Sequence, residues 1–186
     1  MLKLIVGPMG SGKSAEALEF VNECKDKNIP VICFKPKVDT RTVNTIKSRN
    51  GMEHKAVVIE SLSNMFDLIT KFYNKGITNF VCDEIQFIKV ETIGEIETIK
   101  QLVRFVDYNK INLVCSGLNQ TSEMGPFLST AIFTMYADKV TVKTGICEYC
   151  GGKSKRTVCT QEKSEQILIG DDIYEQTCYG CGSVVY

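Results

Sequence analysis

Short apolar runs alternate with longer segments of helical periodicity over the first two thirds of the chain. The runs fit buried strands, and the longer segments repeat their apolar residues at helical spacing. The predicted strands are residues 1–6, 31–35, 55–60, 79–82 and 111–116. The predicted helices are residues 13–25, 61–74 and 91–106. Because strands and helices of this length alternate, the pattern predicts an α/β fold with a parallel sheet, in which ligands bind beyond the carboxyl ends of the strands.

Two parts of the chain lack this alternation. The polar segment 37–51, KVDTRTVNTIKSRNG, has turn and loop chemistry without periodicity, so we expect a long mobile loop. After Ala137 the pattern changes to short β-like runs with glycines and paired cysteines. We therefore predict two domains, an α/β domain at residues 1–144 and a small β domain at residues 145–186.

The chain has 22 basic and 22 acidic side chains among 186 residues, so its formal net charge is zero. No global positive charge is available to attract nucleic acid or an anionic membrane. We see no cleavable signal segment and no stretch of about 18 apolar residues that could span a bilayer. We therefore expect a cytoplasmic protein without a nucleic-acid or membrane partner, in which paired cysteines bind metal more often than they form disulfides.

The segment GPMGSGKS follows the first predicted strand and opens the first predicted helix, and it fills the pattern G-x-x-x-x-G-K-[ST]. Its glycines let backbone N–H groups turn toward phosphate oxygens, and the helix N-terminus adds positive potential. Lys13 would reach the β- and γ-phosphates, and Ser14 can hold Mg²⁺. The predicted nucleotide-binding residues of this loop are Gly7, Pro8, Met9, Gly10, Ser11, Gly12, Lys13 and Ser14.

A pair of carboxylates follows the apolar run 79–82, at the predicted sheet edge that also carries the phosphate loop. Asp83 has the position of a Walker B carboxylate, which holds Mg²⁺ through water. Glu84, one residue further on, would lie beside the γ-phosphate and could take a proton from an attacking hydroxyl group or from water. An exposed acidic turn is the alternative interpretation of this pair.

Two C-x-x-C pairs flank a long segment near the end of the sequence. The predicted metal ligands are Cys147, Cys150, Cys178 and Cys181. Four cysteines of this kind make a tetrahedral zinc site with no open position, so the zinc would be structural and would hold the intervening segment as a closed loop. Two unrelated pairs of buried or redox-active thiols are the alternative.

A phosphate loop combined with a zinc module fits three classes of protein. Zero net charge weakens the case for a nucleic-acid-binding protein, and a GTPase is unsupported because we see no Asn-Lys-x-Asp motif for guanine. A small-molecule kinase remains. Its acceptor is expected to be neutral, because a phosphorylated acceptor usually needs several arginines and the chain has only Arg41, Arg49, Arg104 and Arg156. A neutral hydroxyl requires a base, for which Glu84 is well placed.

Several motifs together resemble one family, the type II thymidine kinases of cells, bacteria, phages and poxviruses. They are GPMGSGKS, VDTR at 38–41, SRNG at 48–51, DEIQF at 83–87, GPF at 125–127, the two cysteine pairs and IGDDIY at 169–174. The resemblance implies a RecA-like phosphate-loop sheet with a small zinc-binding lasso domain. It also implies Mg²⁺-dependent transfer of the ATP γ-phosphate to the 5′-hydroxyl of thymidine, usually in a homotetramer. Acceptance of deoxyuridine and feedback inhibition by thymidine triphosphate (dTTP) are left open.

The same resemblance suggests roles for individual residues. Glu84 matches the general base and Asp83 the metal-side carboxylate. Asp39 and Arg41 match an element near the sugar and phosphates, and Gln86 and Phe87 match residues beside the nucleoside. The segment between the cysteine pairs resembles a lasso that covers the thymine. The remaining expected substrate contacts are Met124, Phe127, Thr157, Ile167, Ile169, Gly170 and Tyr174.

The sequence departs from the family pattern in the expected base pocket. Ser122 stands where the family usually has a phenylalanine that packs on thymine, Asn119 replaces a common acid and Met124 a common base. A stacked aromatic side chain contributes about 1–3 kcal/mol per base, so Met124 or another side chain would have to compensate. These departures motivate an alternative, a phosphate-loop protein of weakened activity or altered specificity that binds deoxynucleosides and acts as a regulator.

Overall fold

A six-stranded parallel sheet forms the centre of the molecule in the computed structural model, which describes residues 1–161 and 173–182. Its strands are β1 (Leu2–Val6), β2 (Val31–Pro36), β5 (Val57–Ile59), β6 (Asn79–Cys82), β7 (Asn112–Gly117) and β8 (Lys139–Val142). They lie in the order β5-β2-β6-β7-β1-β8, and every pair is parallel. The predicted α/β class with a parallel sheet is confirmed.

Helices cover both faces of this sheet, which explains why its strands are almost continuously apolar. The helices are α1 (Lys13–Asp26), α2 (Leu62–Tyr73), α3 (Ile93–Tyr108) and α4 (Leu128–Tyr136). Along β1, Leu4 packs toward the core with α2, α3 and α4, whereas Ile5 packs with Leu18 and Val21 of α1. Alternate residues of one strand therefore feed two separate cores, and burying each such side chain contributes about 1.5–3 kcal/mol.

Local capping sets the ends of two helices. The Ser61 hydroxyl accepts a hydrogen bond from the Asn64 N–H at 3.1 Å, so the predicted N-cap of α2 is confirmed. Thr92 and Glu95 form a reciprocal capping box at the start of α3, and this box starts the helix two residues later than the sequence indicated. Helix α4 was not predicted, because Leu128 and Met135 leave apolar side chains on its exposed face and blur its periodicity.

The polar segment that follows β2 is not an unstructured loop, so that expectation was wrong. Residues Thr45–Lys47 (β3) and Glu53–Lys55 (β4) form an antiparallel hairpin. Ile46 is 3% exposed and packs into the core on the α1 side of the sheet. A single buried apolar side chain anchors the hairpin, and one apolar residue among polar ones gives too little periodicity to detect in the sequence.

The strands after β8 pair only with one another in the part of the chain that the structure describes. Strand β9 (Gly145–Ile146) pairs with β10 (Lys153–Ser154), and β11 (Arg156–Cys159) pairs with β12 (Tyr174–Thr177). A short helix, α5 (Tyr179–Gly182), follows β12. Among these described helices, none is both long enough and apolar enough to cross a membrane.

Candidate active site

The phosphate loop runs from β1 into α1, and its backbone has the geometry that the glycine pattern predicts. Gly10 and Gly12 have φ angles of 70° and 84°, in the left-handed region that favours glycine. Helix α1 begins at Lys13, so its first N–H groups point toward the space above the loop. The Lys13 ammonium donates to the Pro8 carbonyl at 2.7 Å. Burial lowers the pKa of Lys13, while the carboxylates of Glu84 and Asp83 oppose that shift.

Asp83 lies at the carboxyl end of β6, where it accepts a hydrogen bond from Ser116 on β7, and the Ser14 hydroxyl on α1 is close enough to favour its charged form. Its side chain is buried, and the residue is 5% exposed. Burial and the nearby Glu84 charge raise the pKa of Asp83 to about 6. Asp83 therefore joins the phosphate loop to the central strands, and its oxygen atoms together with the Ser14 hydroxyl form a donor set of the kind that Mg²⁺ prefers.

Glu84 ends the strand in a left-handed conformation, with φ 57° and ψ 42°. A non-glycine residue in this region costs of order 1–3 kcal/mol, and such residues cluster at functional sites. The Glu84 carboxylate accepts a hydrogen bond from Arg41 Nη2 at 2.5 Å and another from Gln86 Nε2. Gln86 also accepts a hydrogen bond from the Leu118 N–H through Oε1, at 3.0 Å. These contacts hold the Glu84 carboxylate in one orientation.

Arg41 is held between two carboxylates. Its Nε donates to Asp39 Oδ1 at 2.8 Å while its Nη2 donates to Glu84. Burial alone would lower the pKa of Arg41, but Glu84 and Asp39 outweigh burial and raise it. Burial would likewise raise the pKa of Asp39, but Arg41 and Lys35 outweigh burial and lower it. The Arg41 guanidinium and the Asp39 carboxylate therefore stabilise each other's charged forms.

Lys35 is a structural residue of this group that the sequence did not indicate. It lies on β2 with only 1% of its surface exposed. Its ammonium donates to the Thr42 carbonyl at 2.6 Å and to the Thr42 hydroxyl at 2.7 Å, and it lies 3.3 Å from Asp39 Oδ2. A buried ammonium needs such partners. Lys35 therefore fixes the segment that carries Asp39 and Arg41, although strand position alone gave no sign of this role.

A cavity of about 310 Å³ opens between these groups. This volume lies at the lower end of the range of roughly 300–1,000 Å³ that is usual for small-molecule sites. The predicted site residues among its lining are Met9, Gly10, Gly12, Lys13, Ser14, Arg41, Glu84, Gln86 and Phe87. Leu118 also lines the cavity, and its place just after β7, at the carboxyl end of a parallel strand, is the signal that could have identified it.

Other predicted residues lie around this cavity without lining it. Gly7, Pro8 and Ser11 belong to the part of the loop behind the cavity, and Asp39 and Asp83 line a second cavity of about 290 Å³. Met124 is 54% exposed with φ 63°, in a turn where its N–H donates to the Thr121 carbonyl at 3.0 Å.

Among the described residues, the predicted substrate contacts that follow this turn in the sequence do not line the two cavities either. Phe127 precedes α4, and Tyr174 begins β12. None of Met124, Phe127, Thr157 and Tyr174 lines either of the two cavities. Ser122 is buried, and its carbonyl accepts a hydrogen bond from Arg156 Nη2 at 2.9 Å. The predicted contacts Ile167, Ile169 and Gly170 lie outside the described residues.

The small β unit contacts the phosphate loop directly. The Thr157 hydroxyl, on β11, accepts a hydrogen bond from the Met9 N–H at 2.9 Å. Gln176 of β12 packs against the same loop, because a Cβ at Gly10 would lie 2.5 Å from its Nε2. Strands β11 and β12 both lie between the two cysteine pairs, so this part of the small β unit supports the phosphate loop.

The four paired cysteines come together in the fold. The Sγ atoms of Cys147, Cys150, Cys178 and Cys181 all lie within 4.8 Å of one another. Four thiolates bound to a tetrahedral zinc at about 2.3 Å would be separated by about 3.8 Å, so this cluster could bind zinc. Backbone N–H groups lower the pKa of Cys147 to about 6, whereas neighbouring thiols raise that of Cys181 to about 12. The cysteine pairs are not unrelated, since they share one cluster.

Comparison with known proteins identifies the family. A family model described as thymidine kinase matches residues 1–182. The chain is 32% identical over 180 residues to the thymidine kinase of Mycoplasma genitalium, which covers 95% of this chain and 80% of that protein. It is 30% identical to the thymidine kinase of Mesomycoplasma hyopneumoniae (99% and 96% covered) and 28% identical to that of Pseudothermotoga lettingae (97% and 93% covered). With a fold and a loop that agree with this match, the chain belongs to the thymidine kinase family.

Proposed function

We propose that this protein transfers the γ-phosphate of ATP to the 5′-hydroxyl of thymidine, with release of ADP and thymidine monophosphate. The observation that carries the proposal is that Lys13 and the Glu84 carboxylate line one cavity of about 310 Å³. A phosphate chain held on the loop would therefore have a potential base on the opposite wall. Membership of the thymidine kinase family supports the choice of substrates.

In this proposal the phosphate loop binds the triphosphate of ATP. Backbone N–H groups of the loop and of the first turn of α1 donate to phosphate oxygens, and the Lys13 ammonium exchanges the Pro8 carbonyl for the β- and γ-phosphates. Burial makes this exchange favourable, because a buried ammonium gains more from a charged partner than from a neutral carbonyl. The loop glycines allow the close approach of backbone to phosphate.

Ser14 and Asp83 would hold Mg²⁺ through their oxygen atoms, and the ion would supply positive charge that offsets the negative charge of the triphosphate. Asp83 is buried and its pKa is raised, so its carboxylate is better stabilised with a cation beside it. Ser116 holds one Asp83 oxygen in place from the neighbouring strand.

Glu84 acts as the general base in the proposed reaction. Its carboxylate takes the proton of the 5′-hydroxyl, the freed oxygen forms a bond to the γ-phosphorus, and the bond from phosphorus to the β–γ bridging oxygen breaks. ADP leaves with that electron pair. Arg41, which already donates to Glu84 and Asp39, lies where its positive charge can stabilise the transferred phosphoryl group. Gln86 orients Glu84 from the other side.

The nucleoside would occupy the part of the cavity bounded by Phe87, Leu118 and Met9. Phe87 and Leu118 offer apolar surface, which suits the flat faces of a pyrimidine base. We keep Met124, Phe127, Thr157, Ile167, Ile169, Gly170 and Tyr174 as proposed contacts of a thymine-covering lasso. The link from Thr157 to Met9 supports a lasso that adjoins the loop.

The family also supports several wider parts of the proposal. They are a boundary between an α/β domain at 1–144 and a zinc-binding lasso domain at 145–186, a structural zinc held by Cys147, Cys150, Cys178 and Cys181, a homotetramer, a cytoplasmic location and a role in nucleotide salvage for DNA synthesis. Deoxyuridine as a second acceptor and dTTP as a feedback inhibitor are included as well. The pairing of β9 to β12 only among themselves, within the described residues, favours the boundary.

The test is a panel of deoxynucleosides incubated with Mg·ATP, with monophosphate products separated and quantified. We expect thymidine monophosphate as the main product, formed in equal amount to ADP. ADP formed without any nucleoside monophosphate would instead indicate an ATPase or a regulator. A different preferred nucleoside would retain the kinase chemistry and overturn the proposed substrate.

A further inference from the structure

The SRNG segment at residues 48–51 has no part in the chemistry described so far, yet it lies against the phosphate loop. It forms the turn between β3 and β4. The hairpin residues that line the 310 Å³ cavity are Lys47, Ser48, Arg49 and Asn50. The opposite wall of the same cavity carries Gly10, Gly12 and Lys13. This turn, which has no helical or strand periodicity in the sequence, thus forms part of the lining of the candidate nucleotide site.

This wall is held in place by hydrogen bonds and by packing. The Ser48 N–H donates to the Met52 carbonyl at 2.9 Å, and the Gly51 N–H donates to the Ser48 carbonyl at 3.1 Å. Ser48 is buried, and the Ala56 N–H donates to the Asn44 carbonyl at 2.9 Å, where the hairpin rejoins the sheet. Together with the buried Ile46 described above, these contacts fix the direction in which the turn presents its side chains.

Arg49 reaches the tip of the phosphate loop. A Cβ built on Gly10 would lie 2.6 Å from Arg49 Nη1, so the guanidinium packs directly on the loop backbone. The charge of Arg49 also acts on Lys13. Burial is the largest cause of the lowered pKa of Lys13, and the positive charges of Arg41 and Arg49 lower it as well. Arg49 and Lys13 therefore face the same small space.

Among the residues that the structure describes, cationic side chains predominate in the lining of this cavity, although the whole chain has no excess charge. In that part of the chain the cationic lining residues are Lys13, Arg41, Lys47 and Arg49, and Glu84 is the lining carboxylate. A triphosphate carries several anionic oxygens, each of which can accept a hydrogen bond from a cation in this lining. An arginine fork matches phosphate oxygens better than an ammonium does, because it can donate two parallel hydrogen bonds.

We propose that Arg49 is a phosphate-binding residue, whose guanidinium donates to the β- and γ-phosphate oxygens of ATP held on the loop at residues 7–14. The inference rests on the proposed use of ATP, and it assigns a role to the SRNG turn. The hairpin then acts as the second half of the phosphate site, opposite the loop. Arg41 is tied to Asp39 and Glu84 near the reacting hydroxyl, so Arg49 contacts a different part of the phosphate chain.

The test compares binding of a non-hydrolysable ATP analogue and of thymidine, each measured by calorimetry on the full chain with Mg²⁺. Arg49→Ala should weaken analogue binding about 10- to 100-fold, the usual range for a lost hydrogen bond to a charged group, and should change thymidine binding less than about twofold. Arg49→Lys should recover part of the loss, because it keeps the charge and loses the fork. Arg104→Ala, which removes an exposed arginine of α3, is the matched control and should change neither affinity.

Two results would overturn the role of Arg49. Analogue binding by Arg49→Ala within about twofold of the wild type would exclude the contact. An equal loss of analogue and thymidine binding would show that the substitution only disturbs the local structure. The proposed function fails separately: a wild-type protein that binds the analogue but phosphorylates no nucleoside would overturn thymidine kinase activity and leave Arg49 to be judged on binding. Failure of the wild type to bind the analogue would overturn both.

Discussion

Replacing Glu84 with glutamine removes the proposed base and keeps the shape of the side chain. A glutamine carbonyl can still accept from Arg41 Nη2, which now lies 2.5 Å from the carboxylate, but its NH₂ group would face Gln86 Nε2, which is also a donor. Hydrogen bonds to a charged group contribute about 1.5–3 kcal/mol and neutral ones about 0.5–1.5, so weakening one bond and losing the other should cost about 2–4 kcal/mol of folding stability. A domain stabilised by about 5–15 kcal/mol remains folded after such a loss.

The effect on catalysis can be measured separately from the effect on stability, because the variant remains folded. Loss of a general base usually lowers the rate about 10²- to 10⁴-fold, which corresponds to about 2.7–5.4 kcal/mol of activation free energy. ATP binding should change little, because the phosphates contact the loop and Lys13 rather than Glu84. Without the Glu84 charge the pKa of Lys13 would be lower still, but the negative charge of bound phosphate would raise it again.

The assay measures initial rates of thymidine phosphorylation at saturating Mg·ATP, together with binding of a non-hydrolysable ATP analogue. Glu16→Gln is the matched control, since Glu16 is a half-buried carboxylate on α1 that pairs with Lys3 and Lys143 instead of facing the cavity. We expect normal turnover for the control and a strongly reduced kcat for Glu84→Gln. Turnover of Glu84→Gln within about threefold of the wild type would refute the role of Glu84 as base.

Three further predictions concern stability, metal and the loop. Asp39→Asn should lower the free energy of unfolding by about 3 kcal/mol at pH 7, because Lys35 stays buried without its carboxylate. Since the pKa of Asp39 is lowered in the fold, its contribution exists above about pH 4 and disappears as the pH falls further, so urea titrations of both proteins should converge there. Cys178→Ser should reduce the zinc content from about one ion per chain and lower the melting temperature, as measured by metal analysis and calorimetry. Gly10→Ala should weaken binding of the ATP analogue about tenfold, because its Cβ would displace the ends of the Gln176 and Arg49 side chains from the loop and its φ of 70° costs alanine about 1–2 kcal/mol.

Each of these has an outcome that would contradict it. A constant stability difference between the wild type and Asp39→Asn from pH 7 to pH 3 would mean that the lowered pKa of Asp39 is not its source. Unchanged metal content in Cys178→Ser would exclude a four-cysteine zinc site. Normal analogue binding by Gly10→Ala would show that the loop can move away from Gln176, and Gly51→Ala, at a glycine with open space around its Cβ, is the control for the cost of a positive φ alone.

The sequence by itself determined the class of fold, the phosphate loop, the two carboxylates and the cysteine quartet. Each of these depends on short-range order: strand–helix alternation, a fixed spacing of glycines and a lysine, or paired cysteines two residues apart. Such patterns can be recognised in the sequence because the backbone geometry that they require involves only neighbouring residues. In the structure the phosphate loop joins β1 to α1, the two carboxylates follow β6, and the four cysteines form one cluster.

Only the tertiary structure decided which distant residues complete the site. Lys35 comes from a buried strand, and nothing in its immediate neighbours distinguishes it from an ordinary lysine. Leu118 follows a strand end and Arg49 belongs to the SRNG motif, but neither signal says which groups the side chain contacts. Their roles arise from burial and from contacts across the sheet, which depend on strand order rather than on spacing along the chain. The hairpin and α4 were missed for a related reason, since long-range packing stabilises them and their own periodicity is weak.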